Sequence, residues 1–190
     1  MYNLVIFGPP GAGKGTQSDK IIEKYQLKHI STGDMFRAHI ANKTDLGKEV
    51  QSIMDNGVLV PDEITIRMLE SEMSQHTDIK GFILDGFPRT VAQAAALDKF
   101  LESKGQKVNL VLELVVSQAE IEQRIAERSK VSGRADDSAE KLIKRIDEYF
   151  TKTVHVLPYY QAQGKVSKIN GIGEIEVIFG DIAKAIDGSL

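Results

Sequence analysis

The sequence predicts an α/β fold, with five parallel strands in a sheet covered by helices on both faces. Three observations predict it. Leu4-Val5-Ile6-Phe7 is a short apolar run without helical periodicity, as one buried strand would be. Gly8 to Thr16 then leads into a segment where Ile21, Ile22 and Tyr25 recur at helical spacing. Leu110-Val111-Leu112-Glu113-Leu114-Val115-Val116 is almost continuously apolar, as a strand buried on both faces should be. Strand-like and helical stretches alternate along the chain, the βαβ rhythm of a parallel sheet. A length of 190 residues suits one domain carrying a small insertion.

The first strand spans residues 3–7 and the first helical pattern residues 17–25. Between them lies Gly8-Pro9-Pro10-Gly11-Ala12-Gly13-Lys14-Gly15-Thr16, which fits the phosphate-loop pattern G-x-x-x-x-G-K. Its glycines let backbone N–H groups turn inward around anionic oxygens, the helix N-terminus adds a positive dipole, and Lys14 adds a full charge. Gly15 stands where Ser or Thr usually follows the lysine, so the hydroxyl that ligates magnesium in such loops is displaced to Thr16.

A second strand, residues 28–30, leads into about three helical segments. Ser31 is a plausible cap of the first, with Asp34 in its opening turn. Asn56-Gly57 stops the second, and Pro61-Asp62 opens the third, residues 63–73. Such an excursion is either a packed helical layer or a small mobile subdomain. The third strand is 81–85, the fourth 108–116 and the fifth 165–169. Ser117-x-x-Glu120 reads as a capping box. Residues 128–137, polar and glycine-containing, read as an exposed loop between two helices. The second of these helices starts at Asp136 or Asp137, and Pro158 should kink or end it. Asn170-Gly171-Ile172-Gly173 is a turn before a closing helix, residues 174–186.

Composition excludes several classes. A net charge of -3 argues against nonspecific binding to nucleic acid or to an anionic membrane, so an anion must be caught by locally concentrated arginines. The absence of cysteine rules out disulfides, thiolate zinc sites and cysteine nucleophiles. Met1-Tyr2-Asn3 lacks a basic n-region, and no apolar run approaches the ~18 residues of a membrane span. A cytoplasmic protein is the expectation.

Asp85 closes the apolar third strand, where phosphate-loop enzymes carry an acidic residue for magnesium or its water shell; the alternative is a cap of the following turn. The arginines are the second signal. Only seven accompany seventeen lysines. Arg124 and Arg128 share a helix face, Arg134 follows in the loop, Arg145 lies on the next helix, and Arg37 and Arg89 sit beside the other candidate segments. Arg67 reads as plain surface. A planar, bidentate guanidinium suits phosphate, so the set around two loops points to several phosphate groups. His29, His39, His76 and His155 read as bland core or surface residues, and no Ser/His/Asp arrangement is suggested. Since a phosphate acceptor needs no base whereas an alcohol does, arginines without a base point to phosphate attacking phosphate. Asn42-Lys43-Thr44-Asp45 imitates the guanine reader of GTPases, and Asp78-Ile79-Lys80-Gly81 the D-x-x-G element. Their order is reversed and the first follows a helix rather than a strand, so a turn with Thr44 or Asp45 as a cap is the better reading.

The phosphate loop, Ser31-Thr32-Gly33-Asp34-Met35-Phe36-Arg37 and Asp85-Gly86-Phe87-Pro88-Arg89-Thr90 together resemble the nucleoside monophosphate kinases, the adenylate kinases most closely. Gly15 after the lysine is that family's own form. The resemblance implies a P-loop NTPase-type core (1–30, 61–126 and 138–190), a helical NMP-binding insertion (31–60) and a short lid (127–137). It implies transfer of phosphoryl from MgATP to AMP, with partners ATP, AMP and ADP, in a monomer. Gly11, Ala12, Gly13, Lys14, Gly15 and Thr16 would wrap the ATP phosphates. Arg124 would lie against adenine, Arg128 on the phosphates, and Gly173 at the edge of the adenine pocket.

Arg37, Arg89, Arg134 and Arg145 would bind the AMP phosphate and bridge to the transferring group, and Asp85 would hold the water shell of Mg2+. The segment Gly86, Phe87, Pro88 would flank AMP, and the backbone of Val58, Leu59 and Val60 would complete its pocket. Thr32 is the adenylate-type residue, where pyrimidine-specific relatives resemble Ser-Ala-Gly-Asp. Gln93 would offer an amide to adenine, although Thr90-x-x-Gln93 is also a capping box. The lid is shorter than in the long bacterial form, and without cysteines the zinc knot of some relatives cannot exist. A pyrimidine or other monophosphate kinase, or a P-loop nucleotide switch without turnover, are the alternatives.

Overall fold

A computed structural model describes residues 1–131 and 138–190. Five strands, β1 (Tyr2–Phe7), β2 (Lys28–Ser31), β3 (Gly81–Asp85), β4 (Val108–Val115) and β5 (Val166–Asn170), form one parallel sheet in the order β2-β3-β1-β4-β5. The chain leaves central β1 for the far edge, returns through β3, and then builds outward on the other side. The direction of winding therefore reverses beside β1, and its carboxyl end is the switch point where such sheets take ligands.

Both faces are covered, as the apolar strands require. Val5, Phe7, Phe82 and Leu84 point to one face, packing with Leu97, Leu101 and Tyr160. Leu4, Ile6 and Ile83 point to the other, packing with Ile21, Ile178 and Ile182. The first face carries α4 (Asp62–Ser74), α5 (Val91–Glu102) and α8 (Val156–Gln161); the second carries α1 (Lys14–Tyr25) and α9 (Ile175–Asp187).

Between β2 and α4 run α2 (Thr32–Ala41) and α3 (Asp45–Asp55). Ser31 caps α2 by accepting from the Asp34 amide, and Thr44 caps α3 by accepting from the Gly47 amide. Asn42 to Asp45 is thus a turn and a cap. The Gly57 N–H donates to the Met54 carbonyl and the Val58 N–H to that of Ile53, closing α3 with a left-handed glycine as the sequence predicts. These two helices, with α4, enclose a cluster separate from the two sheet layers: Phe36, Val50, Val60 and Met68. A side chain at Gly47 would run into the backbone of His39 and Ile40, so its glycine permits the close approach of α2 and α3.

Three expectations shift. The helix after Ser117, α6 (Gln118–Val131), continues past residue 128, so residues 128–131 are helical, and the rest of the predicted loop, 132–137, lies outside the described residues. The next helix, α7 (Ala139–Thr151), is capped by Ser138, whose hydroxyl accepts from the Lys141 amide, rather than by Asp136 or Asp137. Pro158 neither kinks nor ends α7, which stops at Thr151. It falls instead in the first turn of α8, where a missing N–H leaves no helical bond unmade.

Candidate active site

A cleft of about 960 Å³ opens along the carboxyl ends of the strands. The loop between β1 and α1 forms its floor. Gly11 and Gly13 adopt left-handed backbone (φ 84° and 92°), which aims successive amides inward, and Gly13 caps α1. Gly15 is different: its φ is ordinary and a Cβ there would meet nothing within 4 Å. Among the described residues no packing demands a glycine at that position, and Gly15 lines the cleft.

Lys14 is the electrostatic centre. Its ammonium donates to the carbonyls of Gly8 at 2.8 Å and Pro9 at 3.3 Å. Burial pushes its pKa down to about 8; the Asp85 carboxylate opposes this, while Arg89, Arg145 and Arg128 add to it. One lysine therefore feels three guanidiniums contributed by the β3–α5 loop, α7 and α6. Concentrating four cations this way costs energy unless a polyanion sits among them.

Asp85 ends β3 inside the same cleft. Burial would raise its pKa, but the neighbouring His29 ring, Lys14 and Arg89 outweigh that and hold it below the ordinary carboxylate value. His29 Nε2 lies 3.9 Å from Asp85 Oδ2, beyond the reach of a good hydrogen bond. His29, taken from the sequence as bland, is thus a cleft residue. Its only sequence signal was its position on the strand that runs into Ser31.

The other arginines are anchored as well as exposed to the cleft. The Arg124 guanidinium donates to Glu120 Oε1 at 2.7 Å, to the Gly11 carbonyl at 3.3 Å and to the Gly171 carbonyl at 2.9 Å. It thereby ties α6 to the phosphate loop and to the turn after β5. Arg89 Nε donates to the Gly86 carbonyl at 2.7 Å, and Arg37 pairs with Asp34 one turn earlier on α2. Arg128, Arg145 and Gly173 line the cleft, as do Thr16 and Ala12. Arg67 is exposed on α4, and Arg134 lies outside the described residues.

A second, small cavity of about 50 Å³ sits beside the cleft, lined by Thr32, Val58, Leu59, Val60, Gly86, Arg89 and Gln93 among others. Thr32 is buried and its hydroxyl donates to the Gly86 carbonyl at 2.9 Å, pinning the start of α2 to the loop after β3. Arg89 borders both cavities. Phe87 and Pro88, joined by a cis peptide bond, instead line a third cavity of about 40 Å³ with Lys14 and Arg145.

Comparison with known proteins closes the question of family. A family model described as adenylate kinase matches residues 6–165. The chain is 49% identical over 187 residues to an adenylate kinase of Bacteroides fragilis, covering 98% of this chain and 99% of that one. It is 50% identical over 188 residues to one of Flavobacterium psychrophilum, covering 98% and 99%. An adenylate kinase of Phenylobacterium zucineum is 46% identical over 188 residues, covering 99% of this chain and 97% of the other. The chain belongs to the adenylate kinase family. Within that family's fold, the larger cleft surrounds the phosphate loop, and the smaller cavity lies under the helices that interrupt the alternation of strands and helices.

The donor set around the cleft also bears on metal. Among the described residues, no group of three or more His, Asp or Glu converges as a metal site. The ionised Asp85 carboxylate and the Thr16 hydroxyl are hard oxygen donors, which suit a magnesium ion that keeps most of its ligands from phosphate and water.

Proposed function

We propose that the chain transfers a phosphoryl group reversibly from MgATP to AMP, giving two ADP. The observation that carries this reading is the convergence of Arg89, Arg128 and Arg145 on Lys14 beside a smaller, separate cavity. A donor triphosphate occupies the loop from Gly11 to Thr16, with its base toward Arg124 and Gly173. The acceptor base enters the small cavity lined by Thr32, Val58, Leu59, Val60 and Gln93, and its phosphate reaches Arg37 and Arg89. Arg134 and Arg145 complete the acceptor and bridging set. The core comprises 1–30, 61–126 and 138–190, the acceptor insertion 31–60 and the lid 127–137.

An oxygen of the AMP phosphate attacks the γ-phosphorus of ATP. The new P–O bond forms as the bond to the β,γ-bridging oxygen breaks, and that oxygen leaves on ADP. The attacking oxygen is already anionic, so no side chain has to remove a proton. Asp85, held below its ordinary pKa, is in any case a poor base. Lys14 follows the transferring group, and the three arginines stabilise charge on its equatorial oxygens. Asp85, and Thr16 through its hydroxyl, would hold the water shell of the magnesium ion, which neutralises phosphate charge when bound. Water must be excluded for AMP to win over hydrolysis, so the site should assemble fully only with both nucleotides present. The same reading makes a monomer in the cytoplasm the working form.

ATP-dependent phosphorylation of AMP, CMP, UMP and GMP tests the proposal. AMP should be the preferred acceptor, with ADP as the sole product. Preference for a pyrimidine acceptor would support the runner-up kinase, and nucleotide binding without ADP formation would support a switch.

A further inference from the structure

We propose that Asp62 positions the Gln93 amide and so sets the acceptor site's preference for adenine over 6-oxopurines. The inference rests on the assignment of the acceptor base to the small cavity. Gln93 is 2% exposed, and both ends of its amide are engaged. Its Nε2 donates to Asp62 Oδ1 at 2.8 Å, and its Oε1 accepts from the Arg89 backbone N–H at 2.7 Å. The other carboxylate oxygen, Asp62 Oδ2, accepts from the Thr90 hydroxyl at 3.0 Å, which holds the carboxylate in place.

These partners permit one amide orientation. An ionised carboxylate only accepts, so it must face the NH₂ group; a backbone N–H only donates, so it must face the oxygen. A flipped Gln93 would set donor against donor at Arg89 and acceptor against acceptor at Asp62. The capping box read from Thr90-x-x-Gln93 is only half made. Thr90 Oγ1 accepts from the Gln93 amide N–H, but the side chain bonds the amide of Arg89 rather than that of Thr90. Gln93 is therefore held by α4 as well as by its own helix.

After these two bonds the amide retains one N–H and one oxygen lone pair, both on a side chain that lines the cavity. Adenine presents an acceptor at N1 beside a donor at N6. Hypoxanthine presents the reverse, a donor at N1 beside an acceptor at O6. An amide locked in one orientation suits one of these edges and opposes the other, whereas an amide free to flip serves both.

The test is steady-state kinetics of the full chain with ATP and either AMP or IMP as acceptor, for wild type, Asp62→Ala and Asp62→Asn. We expect Asp62→Ala to lower the AMP-to-IMP ratio of kcat/KM on the order of tenfold, the weight of one hydrogen bond to a charged group. The change should appear mainly in KM for AMP, with KM for ATP unaltered. Asp62→Asn, which can still turn an oxygen toward Gln93, should restore most of the ratio. Asp62→Ser also withdraws the carboxylate while leaving a helix-compatible polar group, and it carries the same expectation if Asp62→Ala does not fold. Equal losses for AMP and IMP, with the ratio at its wild-type value, would reduce Asp62 to a structural link between α4 and α5 and overturn the inference. A wild-type enzyme indifferent to AMP and IMP would overturn the acceptor assignment itself.

Discussion

Lys14→Met separates the electrostatic cost of the site from its use. In the ligand-free protein the Lys14 pKa falls from an ordinary 10.5 to about 8, chiefly through burial. Each unit corresponds to about 1.4 kcal/mol, so the full fall represents about 3.5 kcal/mol, and about 2–3 kcal/mol once the part of the side chain that water reaches is allowed for. The unfolded chain holds this proton more tightly than the folded one. Between pH 8 and 10.5 it therefore binds more protons, and wild-type stability gains with rising pH across that window. Below pH 8 both states are protonated and the contribution is flat.

Methionine fills similar space without titrating, so the comparison isolates this one group. At pH 7 relief of the buried charge is offset by loss of the bonds to the Gly8 and Pro9 carbonyls, and the two proteins should have similar stability. Denaturant unfolding without nucleotide, from pH 7 to 10, should show wild type gaining about 2–3 kcal/mol on the variant. On the proposed mechanism, in which this charge follows the transferring phosphoryl, turnover should fall by at least ~10³ at every pH. A stability difference that stays constant from pH 7 to 10 would refute the idea that Lys14 is held in a costly, desolvated state. Near-normal turnover would remove it from the reaction.

Other substitutions probe the surrounding parts. Gly15→Ala should stabilise the free protein by about 0.5–1 kcal/mol, because the position is helical and open, yet raise KM for ATP; equal stability and unchanged KM would show the space to be idle. Arg124→Lys cannot span Glu120, Gly11 and Gly171 together, and should cost about 1–3 kcal/mol by thermal unfolding and weaken ATP more than AMP. Thr32→Ala removes the bond to the Gly86 carbonyl; about 1 kcal/mol of stability and a several-fold rise in KM for AMP are expected, with discrimination among monophosphates reduced. Gly47→Ala should force α2 and α3 apart, costing about 1–3 kcal/mol in unfolding experiments and impairing AMP more than ATP.

Much of this molecule is written in local patterns. The strands fall within a residue or so of where the sequence predicts them, and β1, β3 and β4 are the plainest, because a strand buried on both faces has little room for polar interruption. Ser31, the Asn56-Gly57 pair and the phosphate loop act within a few residues of themselves, so their chemistry is legible without the fold. Misreadings arose where local signals compete. Polar residues after Arg128 suggested a loop, but a solvated helix face has the same composition, and α6 continues to Val131. Pro158 would break a helix running continuously from α7, but α7 already ends at Thr151, and the proline falls in the first turn of a new helix.

The sequence by itself determined the alternation of strands and helices, the phosphate-loop pattern and a small set of arginines grouped around two loops. Each depends on neighbours in the chain or on residue type. Only the tertiary structure decided which residues meet. The strand order brings the end of β3 beside β1, which places Asp85 and Arg89 on Lys14, and beside β2, which sets His29 next to Asp85. The packing of α4 against α5 joins Asp62 to Gln93 across 31 positions of sequence, a contact no periodicity could announce. Local patterns fix conformation within a few residues; orientation of a buried amide or the field around a lysine depends on groups that approach only after the sheet has closed.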